Sequence, residues 1–441
     1  MPEAIRAALL RLEQAGYEAW LVGGCVRDRL MGRPVHDYDL TTSATPAEVE
    51  AVFAGEKVVK TGIAHGTVTV LLCGVPVEIT TFRAESGYSD HRHPDAVSFT
   101  RSLRDDLARR DFTVNAVAMD ARGNLRDPFG GQADIRAGIL RAVGDPAERF
   151  SEDALRILRA LRFSSVLGFA IEKNTAAAFE ACRGQLAYVS AERIYAELTK
   201  LLCGGNVRAV LMNYTDTLGE VLPELLPMRG FDQRNYHHIY DVLEHTARVV
   251  EGVPALPHLR WAALFHDAGK PACFTLDAKG VGHFYGHAEV SRTLAEGALR
   301  RLKADNATRE AADLLIHWHD VPVEPTAPAV RRMLRKLGEA GFRDLLALKR
   351  ADNLAQNPAY QDRLKTYDAL EALAEQILAE NQAFRLKDLA INGEDLRALG
   401  MAPGPAMGQL LNRLLDEVVS DRLPNDREAL LEAAKDALSD Q

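Results

Sequence analysis

Paired cysteine motifs, long apolar runs and an excess of basic residues are all lacking in this chain of 441 residues. Its five cysteines are scattered and form no Cys-x-x-Cys pair, which argues against a disulfide scaffold or a cysteine metal site. Apolar runs such as Val68 to Leu72 are far shorter than the roughly 20 residues of a membrane helix. With 53 basic and 62 acidic residues, the net charge of −9 gives no support to a generally basic nucleic-acid binder, although it allows a basic stripe on one face.

The first residues, MPEAIRAALLRLEQ, are typical of an amphipathic helix with acidic residues. They lack the basic, apolar and small-residue regions of a secretory signal peptide. Together with the unpaired cysteines, this predicts a cytoplasmic protein with reduced thiols and no membrane segment.

The composition is that of a folded protein, with 47% hydrophobic and 26% charged residues. The length predicts two to four domains. About the first 140 residues mix strand and helix patterns, whereas nearly every segment after Ser151 has helical periodicity. The sequence therefore predicts a small α/β head, with a mixed sheet and helices, followed by an all-α remainder.

Local patterns place several elements in the head. Residues 84–100 have no periodicity and are rich in Gly, Ser, Asp, His and Pro, which predicts a mobile loop. The other predicted elements are a helix over Glu3 to Gln14, strands over Ala19 to Val22 and Asp37 to Thr41, a helix over Cys25 to Met31, and a β-hairpin around Cys73-Gly74.

Asp37 and Asp39 form the first candidate site. Side chains alternate along a strand, so both carboxylates would lie on one face. Paired carboxylates suit Mg²⁺, and two such ions about 4 Å apart can activate a hydroxyl and stabilise the leaving oxygen in phosphoryl transfer. An isolated Asp-x-Asp pair is more often a solvated turn, so the surrounding residues decide its meaning.

Those surroundings indicate a triphosphate site. A strand, Gly23-Gly24 and a helix start would expose amide N–H groups at the positive end of the helix dipole. Arg27, in the first helical turn, can add a charged contact to a phosphate.

These segments resemble a known family. LVGGCVRD followed by HDYDLTTSATP resembles the head of the tRNA nucleotidyltransferases, the class that includes bacterial CCA-adding enzymes and poly(A) polymerases. EITTFR, LARRDFTVNA and DPFGG are similar to later motifs of that head. The resemblance implies that Asp37 and Asp39 are catalytic and hold Mg²⁺. It further implies that Gly24, Arg27 and Arg110 contact the nucleotide, and it leaves Glu78 open between a third carboxylate and a sheet-edge charge.

A second candidate site lies in EDALRILRALR, where Asp153, Arg156, Arg159 and Arg162 are three residues apart on a predicted helix. Asp153 and Arg156 would offer an acceptor beside a donor. That pair matches the amino group and ring nitrogen of cytosine and adenine and mismatches guanine and uracil. A salt-bridged amphipathic helix is the alternative. The segment resembles the family's base-reading motif, in which Arg159 and Arg162 would orient Asp153 or bind phosphates.

The segment SGYSDHRH, residues 86–93, bears on how many nucleotides are added. In the family, enzymes that add only two cytidines look truncated here. The full-length loop favours addition of both C and A.

The helical remainder carries a third set of residues, in the order H…HD…H…H…D, which resembles HD-type phosphohydrolases. If active, it would bind one or two divalent metals; a purely structural domain is the alternative. His237 and His238 are predicted to be structural. The candidate ligands are His245, His266, Asp267, His287, His319 and Asp352.

We therefore predict a CCA-adding tRNA nucleotidyltransferase, using CTP and ATP with tRNA as partner. The predicted parts are a head (1–140), a helical neck with the base-reading motif (141–226), an HD-type body (227–360) and a helical tail (361–441). By family analogy, the tail would hold tRNA, with Lys387, Arg413 and Arg422 among its basic residues. The rivals are a poly(A) polymerase, a CC-only or A-only enzyme, and a metal-dependent phosphohydrolase with a degenerate RNA-binding head.

Overall fold

The computed structural model describes residues 1–35, 37–60, 62–63, 66–86 and 96–439. It divides into two compact units, Met1–Pro223 and Glu224–Gln441. An α/β head followed by helices is confirmed as the fold class, whereas the finer division into four parts stays a prediction. Within the described residues, no helix is both long enough and apolar enough to cross a membrane.

The first unit is built on a mixed seven-stranded sheet. The strands of the unit are β1 (Ala19–Val22), β2 (Asp39–Thr42), β3 (Lys57–Val59), β4 (Thr67–Leu72), β5 (Val75–Thr81), β6 (Arg83–Ser86), β7 (Ala96–Phe99), β8 (Ala118–Met119), β9 (Leu125–Arg126), β10 (Ile139–Leu140) and β11 (Ala170–Ile171). The order in the sheet is β3-β4-β5-β2-β1-β8-β9, in which β2 and β5 run parallel and the other neighbouring strands are antiparallel.

Helices cover this sheet and continue beyond it. Ile5, Leu9 and Leu12 of the first helix are buried in one core cluster with Leu40 and Ile79 of the sheet. The helices are α1 (Glu3–Gln14), α2 (Gly24–Leu30), α3 (Pro46–Val52), α4 (Leu103–Ala108), α5 (Gly131–Ala137), α6 (Pro146–Glu152), α7 (Leu155–Leu167), α8 (Lys173–Cys182), α9 (Ala191–Leu202), α10 (Val207–Asn213) and α11 (Thr215–Gly219).

The hairpin of β4 and β5 follows directly from the sequence. Val68, Val70 and Leu72 are buried on alternate positions of β4, as a half-buried strand requires. Cys73 and Gly74 connect the strands with φ angles of 50° and 80°. Two successive residues with positive φ are the geometry of the two-residue hairpin turn that matches strand twist.

Two local predictions in the head were wrong. Strand β2 begins at Asp39, so Asp37 lies before the strand and the alternation argument does not apply to it. Residues 83–86 and 96–99 pair as an antiparallel ribbon instead of belonging to one loop. Four-residue strands offer too few positions for alternation to be visible in the sequence. The loop-length prediction for residues 86–93 rests on residues 87–93, which lie outside the described part of the chain.

The helix predicted through the base-reading segment is interrupted. Helix α6 ends at Glu152 and α7 begins at Leu155, with Asp153 extended between them (φ −148°, ψ 102°). The Leu155 N–H donates to Asp153 Oδ1 at 3.1 Å. Short Asp side chains compete in this way with helical backbone bonds, which is the physical reason for the break.

The second unit is almost entirely helical. One of its helices, α17 (Ala327–Leu354), contains a non-helical residue at Gly338 (φ 70°, ψ 175°), so it consists of two segments. The helices are α12 (Val242–Gly252), α13 (Pro257–Phe265), α14 (Lys270–Cys273), α15 (His287–Arg301), α16 (Asn306–Trp318), α17 (Ala327–Leu354), α18 (Leu364–Ala379), α19 (Gly393–Ala398), α20 (Pro405–Val419) and α21 (Arg427–Ser439), with short strands β12 (Thr275–Leu276) and β13 (Gly282–His283).

Candidate active sites in the two units

Gly23 lies at the centre of the candidate nucleotide site in the head. Its φ of +78° favours glycine. A Cβ at this position would lie 3.1 Å from Arg110 Nη1 and 3.5 Å from Asp39 Oδ2, and one at Gly24 would lie 3.5 Å from Arg27 Nη2. The turn after β1 therefore brings the predicted nucleotide-binding arginines close to the first residue of β2.

Two of the carboxylates lie next to each other on the neighbouring inner strands β2 and β5. Asp39 is paired in register with Glu78 of the parallel strand β5, and both line a cavity of about 180 Å³ together with Arg109 and Arg110. Asp37 is exposed just before the strand. The sheet thus places Glu78 beside Asp39 on an inner strand, so Glu78 is not a sheet-edge charge, and its role as a third carboxylate stays a prediction.

Charges around Asp39 explain its electrostatics. The surrounding protein displaces water from the Asp39 carboxyl group and raises its pKa, although the side chain as a whole remains exposed. Arg110 opposes this shift, and the negative charge of Asp37 adds to it. Burial likewise lowers the pKa of Arg110, with partial compensation from the fully buried Asp106. Carboxylate groups that repel each other at a solvent-exposed position, as those of Asp37 and Asp39 do, fit a hard divalent cation.

The base-reading residues are held by partners within the same unit. Arg193 Nη2 donates to Asp153 Oδ2 at 2.6 Å, and Arg156 pairs with Glu152 and donates to the Arg109 carbonyl at 3.2 Å. Asp153 lies just before α7, and Arg156 lies in the first turn of that helix. The expectation that one continuous helix carries both residues was wrong, whereas their pairing as an acceptor beside a donor stays a prediction.

Arg159 and Arg162 of α7 meet Arg27 of α2 around one aromatic ring. The guanidinium carbons of Arg27, Arg159 and Arg162 lie 5.0, 5.6 and 4.0 Å from the centroid of Phe163. Residues that are distant in the sequence, one following the glycine turn and two on α7, thus form one basic cluster.

Asp111 and Asn115 link Arg27 of α2 to Arg159 of α7 through hydrogen bonds. Asp111 Oδ2 accepts two hydrogen bonds from Arg159, at 2.8 and 2.6 Å, and Oδ1 accepts one from Asn115 Nδ2 at 3.0 Å. Asn115 Oδ1 in turn accepts from Arg27 at 2.8 Å. Sequence reasoning singled out LARRDFTVNA but chose only Arg110 from it. It missed Arg193 and Glu197 altogether, because α9 looks like any amphipathic helix.

The second unit brings all six predicted ligands together. One group contains His245, His266 and Asp267, and another contains Asp267, His287 and His319, with all ligand atoms of a group within 4.8 Å of one another. Asp352 Oδ1 lies 3.0 Å from His245 Nε2. Asp267 belongs to both groups: Oδ2 faces His245 and His266, and Oδ1 faces His287 and His319.

The tautomers of these histidines favour metal binding. The Nδ1 atoms of His266, His287 and His319 lie 2.8, 2.8 and 2.6 Å from the backbone carbonyls of Ala263, Phe284 and Ile316. A carbonyl only accepts, so Nδ1 must donate and the neutral ring keeps its lone pair on Nε2. His287 Nε2 and His319 Nε2 then face each other at 3.2 Å, which requires a proton or a metal ion between them.

Burial and charge shift the pKa values here strongly. Burial opposes the charged form of His245, but Asp267 and Asp352 more than offset it and raise its pKa to about 9. Burial also opposes ionisation of Asp267, yet His266 and Lys270 hold its pKa well below the usual value. Lys270 Nζ lies 2.7 Å from Asp267 Oδ2. The centre therefore concentrates ionised and cation-binding groups in the interior.

A cavity of about 510 Å³ opens onto this centre. His237, His238, Lys270 and Arg363 line it together with Asp267 and Asp352. Burial and Lys270 lower the pKa of His238 to about 2, so its ring is neutral. His237 and His238 thus border the site, and the expectation that they are merely structural stays a prediction.

Comparisons with known proteins cover most of the chain. The family model "Poly A polymerase head domain" matches residues 19–141. "Probable RNA and SrmB- binding site of polymerase A" matches residues 168–228, and "tRNA nucleotidyltransferase domain 2 putative" matches residues 283–434. The matches begin in the sheet that carries Asp39 and extend into the helical second unit.

Two relatives that align over nearly the whole chain are CCA-adding enzymes. The chain is 37% identical over 447 aligned residues to the CCA-adding enzyme of Limosilactobacillus fermentum, covering 99% of this chain and 97% of that one. It is 39% identical over 429 residues to the CCA-adding enzyme of Latilactobacillus sakei subsp. sakei, covering 97% and 96%.

Solved structures of CCA-adding enzymes also match this chain. The Bacillus stearothermophilus CCA-adding enzyme in complex with CTP is 31% identical, with a TM-score of 0.73, and the alignment covers 100% of this chain and 99% of that one. The Thermotoga maritima CCA-adding enzyme complexed with tRNA shares the fold at 21% identity and a TM-score of 0.58, covering 98% and 94%. On the full-length identity and the shared architecture, this chain belongs to the family of CCA-adding enzymes.

Proposed function

We propose that this chain adds C, C and A to the 3′ end of tRNA from CTP and ATP, without a nucleic-acid template. The observation that carries the proposal is the connected network from Arg27 through Asn115 and Asp111 to Arg159. It joins a candidate triphosphate site to a candidate base-reading segment within one unit. Family membership supports the same activity. The reduced, scattered cysteines support a cytoplasmic location.

The proposed reaction is an in-line nucleotidyl transfer. The terminal hydroxyl of the tRNA gives up its proton to solvent, and its oxygen attacks the α-phosphorus of the nucleotide. The bond between that phosphorus and the α–β bridging oxygen breaks, and pyrophosphate leaves with the bridging oxygen and its negative charge. Asp37 and Asp39 would hold Mg²⁺, with Glu78 beside them, and the metal would supply Lewis-acid activation of the hydroxyl and charge stabilisation. Gly24, Arg27 and Arg110 would bind and orient the triphosphate.

Base selection would come from the neck. Asp153 accepts hydrogen bonds and Arg156 donates them, which matches the amino group and ring nitrogen shared by cytosine and adenine. Arg159 and Arg162 would contribute positive charge near the phosphates, because they share the Phe163 ring with Arg27. Uracil and guanine would leave buried polar groups unpaired and would be rejected.

The double variant Asp37→Ala with Asp39→Ala tests the catalytic assignment. We expect incorporation of labelled CMP and AMP into a tRNA lacking its terminus to fall by at least about a thousandfold, because the variant loses the metal-binding carboxylates. Binding of tRNA should stay near that of the wild type. Asp105→Ala, an exposed carboxylate on α4, is the control.

Two outcomes of that assay would contradict the proposal. Retained incorporation in the double variant would show that other residues hold the metal. A wild-type enzyme that ignores CTP and uses ATP alone would be a poly(A) polymerase or an A-only enzyme.

A second candidate function is supported in the other unit. The contact between His287 Nε2 and His319 Nε2, and the buried Nε2 of His266 that has no hydrogen-bond partner among the described residues, favour a divalent metal centre. His245, Asp267 and Asp352 would complete it. Metal there would activate water for hydrolysis of a phosphate ester entering the adjacent cavity.

Metal content and hydrolysis test this second function separately. We expect the metal-loaded chain to hydrolyse bis(p-nitrophenyl) phosphate, and expect His266→Ala and Asp267→Ala to lose both bound metal and hydrolysis while nucleotide addition persists. His258→Asn is the matched control, because His258 lies on α13 but pairs with Asp344 outside the cluster. If bound metal and hydrolysis remain in His266→Ala, the assignment of the centre is wrong.

A further inference from the structure

Two cavities in the second unit border the same candidate metal centre. One is the cavity of about 510 Å³ described above, which we call the α14 cavity because Lys270 of α14 lines it. The other, of about 600 Å³, we call the α18 cavity because Thr366, Tyr367 and Leu370 of α18 line it. The residues that line both cavities are His319, Asp320, Asp352 and Arg363. Since two of these four are candidate metal ligands, both cavities lead to the centre.

The α14 cavity combines polar groups with an exposed aromatic surface. His283 and Tyr285, which line it, stack with their ring centroids 5.4 Å apart and an angle of 5° between their planes. Tyr285 is 79% exposed, so most of its ring surface is open to a ligand. Aromatic rings stack favourably on other flat rings. An aromatic or other apolar group of a ligand can therefore bind in this cavity.

The α18 cavity has a mainly apolar wall that other elements form. Pro322, Val323 and Pro325 lie between α16 and α17, and Tyr367 and Leu370 lie on α18. None of these five residues is a candidate metal ligand, and none carries a charge. Burial of apolar ligand surface against such a wall is favourable. The α18 cavity therefore suits a second organic group, separate from the one that the α14 cavity takes.

Lys349 supplies positive charge where the α18 cavity meets the centre. Its Nζ donates to the backbone carbonyls of His319 and Val321, at 2.6 and 2.8 Å, and the residue is only 5% exposed. An ammonium group has three N–H donors, so one remains for a ligand. No carboxylate of the described residues forms an ion pair with Lys349, and a buried charge without a counterion is unfavourable. A phosphate oxygen bound beside His319 and Asp352 would supply that counterion.

We propose that this centre takes linear phosphodiesters, with one organic group in each cavity and the phosphate between them beside Lys349. The inference rests on the phosphate-ester hydrolysis proposed above. A phosphate monoester has one organic group, and a cyclic phosphate has both ester oxygens on one sugar, so either of them would need only one cavity. A linear diester has two separate organic groups and fills both cavities.

The proposed hydrolysis releases one of these two groups. The oxygen of a water molecule bonds to phosphorus, and the ester bond from phosphorus to one organic group breaks. The departing oxygen takes one proton of the water and leaves as an alcohol. The other proton passes to solvent as the monoester product ionises. That product has a single organic group, so it retains the contacts of one cavity only.

Equilibrium binding of two matched diesters measures what the second cavity contributes. Diphenyl phosphate and methyl phenyl phosphate have the same charge and differ only in the size of one organic group. In calorimetric titration we expect the full-length chain, loaded with Mn²⁺, to bind diphenyl phosphate at least about tenfold more tightly, because both of its rings are buried.

A substitution that fills the α18 cavity tests the assignment. Thr366→Trp should reduce the preference for diphenyl phosphate to about twofold or less and leave the affinity for methyl phenyl phosphate within about twofold of the wild type. Lys365→Trp is the matched control, because Lys365 is the exposed neighbour of Thr366 on α18 and does not line the cavity. It should keep the full preference. If Thr366→Trp does not fold, Val323→Trp, which fills the same cavity from the segment between α16 and α17, should show the same loss.

Hydrolysis provides a second readout on the same variants. Thr366→Trp should lower kcat/KM for bis(p-nitrophenyl) phosphate by about tenfold and that for methyl p-nitrophenyl phosphate by less than about twofold. A cyclic nucleoside phosphate, which needs only one cavity, should also be hydrolysed at nearly the wild-type rate.

These measurements separate failure of this inference from failure of the proposed hydrolysis. Equal affinity of the wild type for the two diesters would overturn the inference alone, even with ester hydrolysis intact. An unchanged preference in a folded Thr366→Trp or Val323→Trp variant that retains its metal would overturn it as well, because the α18 cavity would then hold no part of the substrate. A wild-type chain that binds no metal and hydrolyses neither p-nitrophenyl ester would overturn the proposed hydrolysis itself.

Discussion

Asp111 joins the head of the first unit to its base-reading helix through a single carboxylate. It accepts hydrogen bonds from Arg159 on one oxygen and from Asn115 on the other. Burial of Asp111 opposes its ionisation, but Arg159 and Asn115 more than offset this and lower its pKa to about 2. This residue contributes stability as well as connectivity.

The lowered pKa gives a pH dependence with a defined sign. An unfolded aspartate has a pKa near 3.9, so the folded state favours the ionised form by about 2 to 3 kcal/mol. This stability is fully present above about pH 4 and is lost as the pH falls through about 2. Asp111→Asn should therefore lower the free energy of unfolding of the first unit by about 2 to 4 kcal/mol at pH 7, and by less near pH 2.5.

Urea-dependent hydrogen exchange of peptides from α7 would measure this effect, because it reports unfolding of the first unit alone. Glu148→Gln, at an exposed position on α6, is the matched control and should show little change at either pH. A difference between Asp111→Asn and the wild type that stays constant from pH 7 to pH 2.5 would show that Arg159 does not stabilise this carboxylate.

At the scale of elements, prediction succeeded where one local rule governs the chain. Helix α1 and strand β1 have the predicted bounds, since each carries a clear apolar period and ends near a glycine. The hairpin at Cys73-Gly74 follows from two β-branched runs around a two-residue turn. The fold class and the family were predicted from such elements together with the motifs between them.

Prediction failed where side-chain contacts or strand pairing override periodicity. The apolar stripe of α7 extends back through the sequence before it, but the Asp153 carboxylate caps Leu155 and breaks the helix. The β6–β7 ribbon depends on hydrogen bonds between segments that each lack alternation. The partners Arg193 and Glu197 lie about 40 residues after the motif that they support, and nothing in their own helix marks them.

In the candidate sites, too, local patterns in the sequence indicate some features, and tertiary contacts decide the others. Motifs and spacing singled out Asp39 and Arg110 in the first unit and six candidate ligands in the second, and the structure brings the residues of each set close together. Their roles stay predictions. They were not enough to place Asp37 relative to its strand or to identify what orients each side chain. Orientation depends on tertiary neighbours, such as the carbonyls that fix the histidine tautomers.

At the scale of the whole molecule, the two candidate sites lie in different compact units. Every described partner of the nucleotide site named above, from Glu78 and Asp111 to Arg193 and Glu197, belongs to Met1–Pro223. The six candidate metal ligands all belong to Glu224–Gln441. Each unit has more than 200 residues, which is ample for an independent core.

This division predicts that the two sites can be separated. A fragment of residues 1–223 should fold and bind CTP and ATP more tightly than UTP and GTP, because all the side chains proposed to contact the nucleotide are present. Addition to tRNA should be much weaker, by at least about tenfold, if the basic residues of the tail hold the substrate backbone. A fragment of residues 224–441 should retain bound divalent metal.

Calorimetric titration of each nucleotide into the first fragment, and metal analysis of the second, provide the measurements. Full-length chain carrying Asp153→Ala serves as the reference for lost base preference. A first fragment that folds cooperatively but binds all four nucleotides equally would show that selection requires residues after Pro223, because the base-reading network would then be intact and insufficient. Addition to tRNA at the full-length rate would show instead that the second unit does not hold the substrate.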